Sequence, residues 1–365
     1  MLSFYKLVVE CKISHFFSYI CHPMSGNVKR MYRAFKILRY VLILLLLCPL
    51  TLIADESKVG ISDKPVVPDS ILQNIFHFSP FYSKIVDEYK ADLYLKGRVL
   101  VHKSNKLVKY IPSMFRLEDG VNHYIIESLS EMHYTAPDIY NRKVKAVSST
   151  FPRNKGELTD LTDFLNMNIY SSSMMSDKLL SPLDKKASKY YTYLLDSVVN
   201  NQNRQKYKIR FIPKFKSTQL VNGYIWVSDE VWTIREAYFE GKFDLIQFRL
   251  RNIMGEDGDE EFLPVQLNLD IYFDFMGNLL EMKANAWVKY NQITFYNGGE
   301  RRKSQKKHSH DLTEFYQLTT DSTQVISNQE EFEKLRPIPL TFDEDMLYQM
   351  HRIRSGKFNW IFDTK

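Results

Sequence analysis

The sequence predicts a mainly β protein, an antiparallel meander forming a curved sheet or open half-barrel with a few short helices packed on it. Three observations predict it. Apolar and polar residues alternate with a period of two through most of residues 89–290, as in strands with one buried face. Turn residues interrupt the alternation at short intervals, so successive strands pair with their neighbours. Helical patterns are too few to cover both faces of a parallel sheet. Aromatic residues make up 14% of the 365, which suits pleated, half-buried surfaces.

The elements follow in order. Asp55 to Pro68 is polar and carries Pro65 and Pro68, a flexible lead-in. Asp69 or Ser70 caps a helix whose apolar residues Ile71, Leu72, Ile75, Phe76 and Phe78 recur at helical spacing, and Pro80 limits it. From Tyr89 the period becomes two: Tyr89, Ala91, Leu93 and Leu95 share one face, Lys90, Asp92, Tyr94 and Lys96 the other, and Gly97 marks a bulge. Lys106 to Leu117 has no single pattern. Strands are expected at Asn122–Tyr134, Arg142–Phe151, on both sides of the 200–203 turn, and from Phe243 to Ile253. Leu158 to Tyr170 reads as a short helix or a loop. The clearest hairpins are Gly223–Val227 with Val231–Phe239, and Leu267–Phe275 returning through Gly277 to Tyr290. A short helix is expected over Asn328–Leu335, ended by Arg336-Pro337-Ile338-Pro339, and residues 340–365 read as a tail with apolar patches at Phe358, Trp360, Ile361 and Phe362. The organisation is therefore 1–54 upstream extension and signal peptide, 55–68 lead-in, 69–296 β domain with its helix, and 297–365 basic loop, short helix and tail.

The charge is uneven. The formal net charge is +6, and the first 54 residues carry all of it: Lys6, Lys12, Lys29, Arg30, Arg33, Lys36 and Arg39 against Glu10. All three cysteines, Cys11, Cys21 and Cys48, lie there too. A basic stretch from Met31 leads into an apolar run from Tyr40 to Ala54, broken by Pro49 and shorter than the roughly 20 residues of a spanning helix. This is the pattern of an export signal cleaved near Ala54, with an uncleaved anchor as the alternative and Met31 as the expected start. The expected location is the periplasm, associated with the outer membrane. The rest is formally neutral, so the basic balance does not predict nucleic-acid binding. It is also free of cysteine, which excludes thiolate metal sites and disulfides.

Catalytic patterns are missing: no nucleophile elbow, zinc-helix, P-loop or dinucleotide fingerprint occurs. His123 and His133 share a strand region and could lie near each other. His308 and His310 sit in a basic loop, and Glu256 to Glu261 form an acidic one whose spacing does not match a calcium loop. Each is better explained as a solvated surface, so the expected function is non-enzymatic and without a cofactor. That leaves the strand faces. Leu93, Leu95, Trp226, Trp232, Leu269, Ile271 and Phe273 are the candidate residues, either of an apolar pocket or of a plain core face, the second being the simpler reading.

Tyr89–Gly97, Ile126–Ser128 with Met132–Pro137, Ser181–Leu183, Ile209–Lys214, Gly223–Val227 with Val231–Ile234, and Arg336–Leu340 together resemble an exported outer-membrane family of unknown function. Its members are often called carboxypeptidase-like regulatory domain-containing proteins. The usual regulatory domain and C-terminal barrel have no counterpart in this sequence, so a stand-alone domain or a truncated form of a longer protein is expected. The hairpin region is also similar to the lipoprotein carriers of LolA and LolB type. The resemblance implies an apolar cavity, with a lipid, acyl chain or extended peptide as ligand. The alternative is an interaction module whose tail, 340–365, docks onto an outer-membrane protein.

Overall fold

The computed structural model describes residues 66–354 apart from 106–119, 152–163, 165, 175–177, 202–203, 244–245, 257, 276, 302–316, 322–324 and 326–328. All of them belong to one compact unit, Asp63–Lys365. Helix α1 (Asp69–Tyr82) is followed by β1 (Val86–Lys103), β2 (His123–Thr135) and β3 (Ile139–Ser149). A small ribbon, β4 (Ser173–Met174) with β5 (Leu179–Leu180), precedes a long meander. The meander comprises β6 (Tyr191–Asn201), β7 (Arg204–Pro213), β8 (Asn222–Ser228), β9 (Ile234–Phe243), β10 (Ile246–Met254), β11 (Pro264–Phe275) and β12 (Asn278–Phe295). Strand β13 (Gln317–Asp321) and helices α2 (Gln329–Leu335) and α3 (Phe342–Arg354) complete the chain.

The sheet order is β13-β3-β2-β1-β12-β11-β10-β9-β8-β7-β6. Ten strands are antiparallel to their neighbours, and β13 joins β3 in parallel. The two outermost strands, β13 and β6, do not meet, so the sheet stays open. The predicted class is the one observed. Strand β12 returns to pair with β1 along almost its whole length, from Val86↔Phe295 to Lys103↔Leu279. This seam joins an N-terminal three-stranded part to the meander.

One face of the sheet carries the main core. Leu93, Leu95, Phe211, Ile225, Phe239, Leu250, Leu267 and Leu269 point into it, and α1 lies across it through Ile71, Ile75 and Tyr82. Each fully buried apolar side chain contributes roughly 1.5–3 kcal/mol relative to exposure. Among the described residues, the other face carries a separate buried cluster near β1–β3, formed by Tyr94, Ala146 and Phe332 with Leu129, Trp287 and Ile338 around it. The middle of β1 is therefore buried on both sides, and Tyr94 and Lys96, which alternation assigns to solvent, are enclosed.

Several expectations change. Helix α1 runs through Pro80 to Tyr82, because a proline near the last turn removes only one hydrogen bond. Its N-cap is Pro68 with no side-chain cap, not Asp69 or Ser70. The lead-in is pinned at its end: Val67 is buried and Val66 bridges Leu194 of β6. Strand β1 passes Gly97 without a register shift. A methyl there would press on Ile126 Cγ2 at 3.3 Å and Met282 at 3.4 Å. Strand β9 starts at Ile234 rather than Val231, because the β8–β9 turn contains Glu230 and Trp232 with positive φ. The tail contains α3, and β13 lies in the stretch 297–365, where the sequence predicts a basic loop, a short helix and a tail but no strand. Lys106–Leu117 and most of Leu158–Tyr170 fall outside the described residues.

Candidate functional site

The concave face is the strongest candidate. At its centre β12 presents only Ala284 and Ala286, flanked by Leu95 on β1 and by Leu267 and Leu269 on β11. Phe164 comes down over this shallow strip and meets Phe248 edge-on at 5.5 Å. A cavity of about 10 Å³ remains between Phe164, Leu250 and these residues, room for about one water at most. Its wall is almost wholly apolar.

The cover is anchored at one end of α1. Tyr82 donates its hydroxyl to the carbonyl of Val231, and its ring packs on Tyr170 at 5.4 Å and Phe262 at 5.0 Å. Asn168 Nδ2 donates to Ser83 O at 2.9 Å. The Tyr170 hydroxyl accepts from Ile234 N at 2.9 Å, and burial raises its pKa well above the ordinary phenol value.

Asn252 is the exception in this apolar face. It occupies the inward position of β10 after Phe248 and Leu250, opposite Ala237 on β9 and Leu267 on β11. The side chain is fully buried, and neither Nδ2 nor Oδ1 has a hydrogen-bond partner. Such a group typically costs about 1–3 kcal/mol. Along the cross-strand row from Asn252 come Leu267, Ala286 and Leu95, and then Ser128 on β2. Asn252 and Ser128 thus stand four strand spacings apart, about 19 Å, with three apolar residues between them, and past Asn252 the apolar row continues through Ala237 and Ile225. Beyond Ser128, buried Arg142 donates to Ser130 Oγ at 3.1 Å and Ser128 Oγ at 3.4 Å.

The expected site residues divide. Leu93, Leu95 and Leu269 are buried together on the concave face, and Ile271 packs against them, half-buried. Phe273 continues that row toward the rim, where it meets Phe275 at 6.3 Å. Trp232 sits in the β8–β9 turn and stacks on Tyr207 at 6.1 Å. Trp226 lies on the opposite face, because its neighbours Ile225 and Val227 take the inward positions. It stands beside Lys208, whose Nζ is 5.7 Å from its ring. Asn252 was missed, although a polar residue at the inward parity of an alternating strand is the signal that reveals it.

The other face holds a polar clasp. Glu127 on β2 is 0% exposed. It accepts from Arg336 Nε at 2.9 Å and Nη2 at 2.8 Å, from the Tyr94 hydroxyl at 2.5 Å and from the Tyr348 hydroxyl at 2.8 Å. Burial, reinforced by the carboxylate, raises both phenols far above their usual range. Lys96 Nζ donates to Glu344 Oε2 at 2.9 Å, and Thr341 N donates to the same oxygen at 2.9 Å. Burial pushes the Glu344 carboxyl up, but the Thr341 amide and Lys96 outweigh it and hold it below the ordinary carboxylate value. Of the segment 340–365 expected to dock on a partner, Phe342–Arg354 is thus seated on this chain's own sheet.

The lesser candidates are structural in character. His123 opens β2 and His133 lies near its end, about 33 Å apart along the strand, so they are not neighbours. His133 meets Glu88 at 2.6 Å. In the acidic turn, Glu261 accepts from Thr233 Oγ1 at 2.7 Å and Arg235 Nη2 at 2.6 Å. His308 and His310 lie outside the described residues. Among the described residues no group of three His, Cys, Asp or Glu is placed to hold a metal ion, and no helix is long and apolar enough to cross a membrane.

An open antiparallel sheet with a helix over its concave face is the class this geometry defines. The chain belongs to the family of unknown function DUF5686, whose model matches residues 71–291, more than half its length. No curated protein matched the chain. Among solved structures it is similar to a DUF1329 family protein from Desulfovibrio piger (15% identity, TM-score 0.27, covering 65% of this chain and 95% of that one). It is also similar to a LolA superfamily protein from Nitrosomonas europaea (11% identity, TM-score 0.21, covering 62% and 94%). A third is a putative outer membrane lipoprotein-sorting protein domain from Vibrio parahaemolyticus (9% identity, TM-score 0.22, covering 64% and 94%).

Proposed function

We propose that this protein is a non-enzymatic binding module of the periplasm, associated with the outer membrane, whose concave face takes the acyl chain of a lipid. The observation that carries this is Asn252. A buried amide with no partner, set within an apolar row of the sheet, is costly in the empty protein and ready for a ligand's polar group. The chain would lie over Leu267, Ala286 and Leu95, where the two alanines leave the sheet thinnest. Occupation requires Phe164 to move aside, since the empty space is far smaller than an acyl chain. Export fits the signal-like leader, and the outer membrane fits the resemblance noted in the sequence.

Asn252→Leu separates this reading from a plain core. If the amide serves a ligand, the variant stabilises the empty protein by about 1–3 kcal/mol and weakens binding of a fluorescent fatty acid. Native mass spectrometry of the wild type should show a co-purifying lipid that is lost on unfolding. A variant that is destabilised, or that binds the probe as the wild type does, overturns the assignment. So does a wild type that carries no lipid and binds no probe.

A further inference from the structure

Helix α3 is built inside out. Its inward residues are polar: Glu344 is held by Lys96, and the Tyr348 hydroxyl reaches Glu127. Its outward residues are apolar: Phe342 is 79% exposed, Met346 38%, Met350 53% and Ile353 55%. At 3.6 residues per turn these four fall within an arc of about 80°, and Glu344 and Tyr348 point the opposite way. Leu335, at the end of α2, is exposed as well. A soluble helix normally turns such a stripe inward, and a contiguous outward stripe marks a docking surface.

We propose that the outward face of α3 rests on the surface of an anionic phospholipid bilayer. Two features favour a bilayer over a protein partner. The charge along α3 is polarised, with Asp343, Glu344 and Asp345 in the first turn and His351, Arg352 and Arg354 in the last. Arg352 turns inward to Glu333 and Gln329, and exposed Arg354, about 40° round the helix from Met350, stands beside the stripe where it can meet lipid phosphates. The sequence then continues Lys357-Phe358-Asn359-Trp360-Ile361-Phe362, a basic and aromatic composition typical of segments at the lipid–water boundary. The clasp on the other side of α3 holds the helix to the sheet, so the contact would fix how the whole domain stands on the membrane. The inference is independent of what the concave face binds.

The test places an environment-sensitive NBD label at residue 350 of the full chain (Met350→Cys, with Cys11, Cys21 and Cys48 replaced by Ser). A second protein carries the label at exposed Thr218 (Thr218→Cys). Vesicles of phosphatidylethanolamine and phosphatidylglycerol should blue-shift and brighten the label at 350 but not at 218. Met346→Glu with Ile353→Glu should abolish the response, and vesicles of phosphatidylcholine alone should weaken it. The label reports its own surroundings, so attachment through the apolar run at 40–54 alone leaves residue 350 in water. No response at 350, an equal response at 218, or survival of the response in the double variant overturns the proposal. A blue shift that grows with protein concentration in the absence of vesicles also overturns it and assigns the face to a second copy.

Discussion

Helices α1 and α3 carry the same spacing and use it in opposite ways. In α1 the positions 71, 75, 79 and 82 are buried against the sheet. In α3 the positions 342, 346, 350 and 353, at the same intervals, face solvent. The surface each helix lands on accounts for the difference. Helix α1 meets the apolar face of the sheet and buries Ile71, Ile75 and Tyr82 in the main core. Helix α3 meets Lys96 and Glu127, charged groups on the opposite face, and must offer them Glu344 and Tyr348. A stripe shows that a helix is amphipathic; which side is buried depends on the wall it packs against.

The comparison can be broken most sharply at Glu127. Glu127→Ala removes the carboxylate from Arg336, Tyr94 and Tyr348 and leaves a buried guanidinium without its counter-charge. A loss of about 3–5 kcal/mol in denaturant unfolding is expected. On the other face Ile75→Ala opens a cavity under α1 and should cost about 2–4 kcal/mol. Acid should separate the two helices further. The folded-state pKa of Glu344 lies below its unfolded value of 4.5. Its contribution is therefore complete above that value and is lost as pH falls through the folded one. The unfolding midpoints of wild type and Glu344→Gln should differ at neutral pH and converge as pH falls below the folded-state pKa of Glu344, while Ile75→Ala keeps its deficit relative to wild type. The smallest effect is expected on the outward stripe, where Met350→Gln should change stability by no more than about 0.5 kcal/mol. A larger loss would mean that this face is already packed.

Most of the sheet was legible because one covered face imposes a period of two, as in β10 and β11. Legibility failed where that condition failed. In β8 both parities are apolar, Tyr224 and Trp226 against Ile225 and Val227, so alternation could not say which face Trp226 takes. In β1 both faces are covered, and Lys96 looks like a solvent residue until its partner is seen more than two hundred positions away. Strand β13 is five residues of mixed polarity, defined by pairing with β3 rather than by its own pattern. Helix α3 was hidden by its reversal: no core was expected at the end of the chain, so residues 340–365 read as a tail, with apolar patches noted only beyond the helix at Phe358–Phe362. Asn252 was visible in principle, one polar residue among Phe248, Leu250 and Met254.

The β1–β12 seam has a consequence for how the molecule comes into being. It is the centre of the sheet, yet it joins segments roughly 200 residues apart, as in Leu93↔Val288, and such non-local pairing is slow to form. The hairpins on each side are local and can form early, leaving two partial sheets whose unsatisfied margins are β1 and β12. Both margins carry residues later buried in the main core, so a half-finished molecule displays its stickiest edges until residue 295 is available. The middle of the finished sheet is therefore the last part made, and a chaperone that guards this chain has most reason to hold it there.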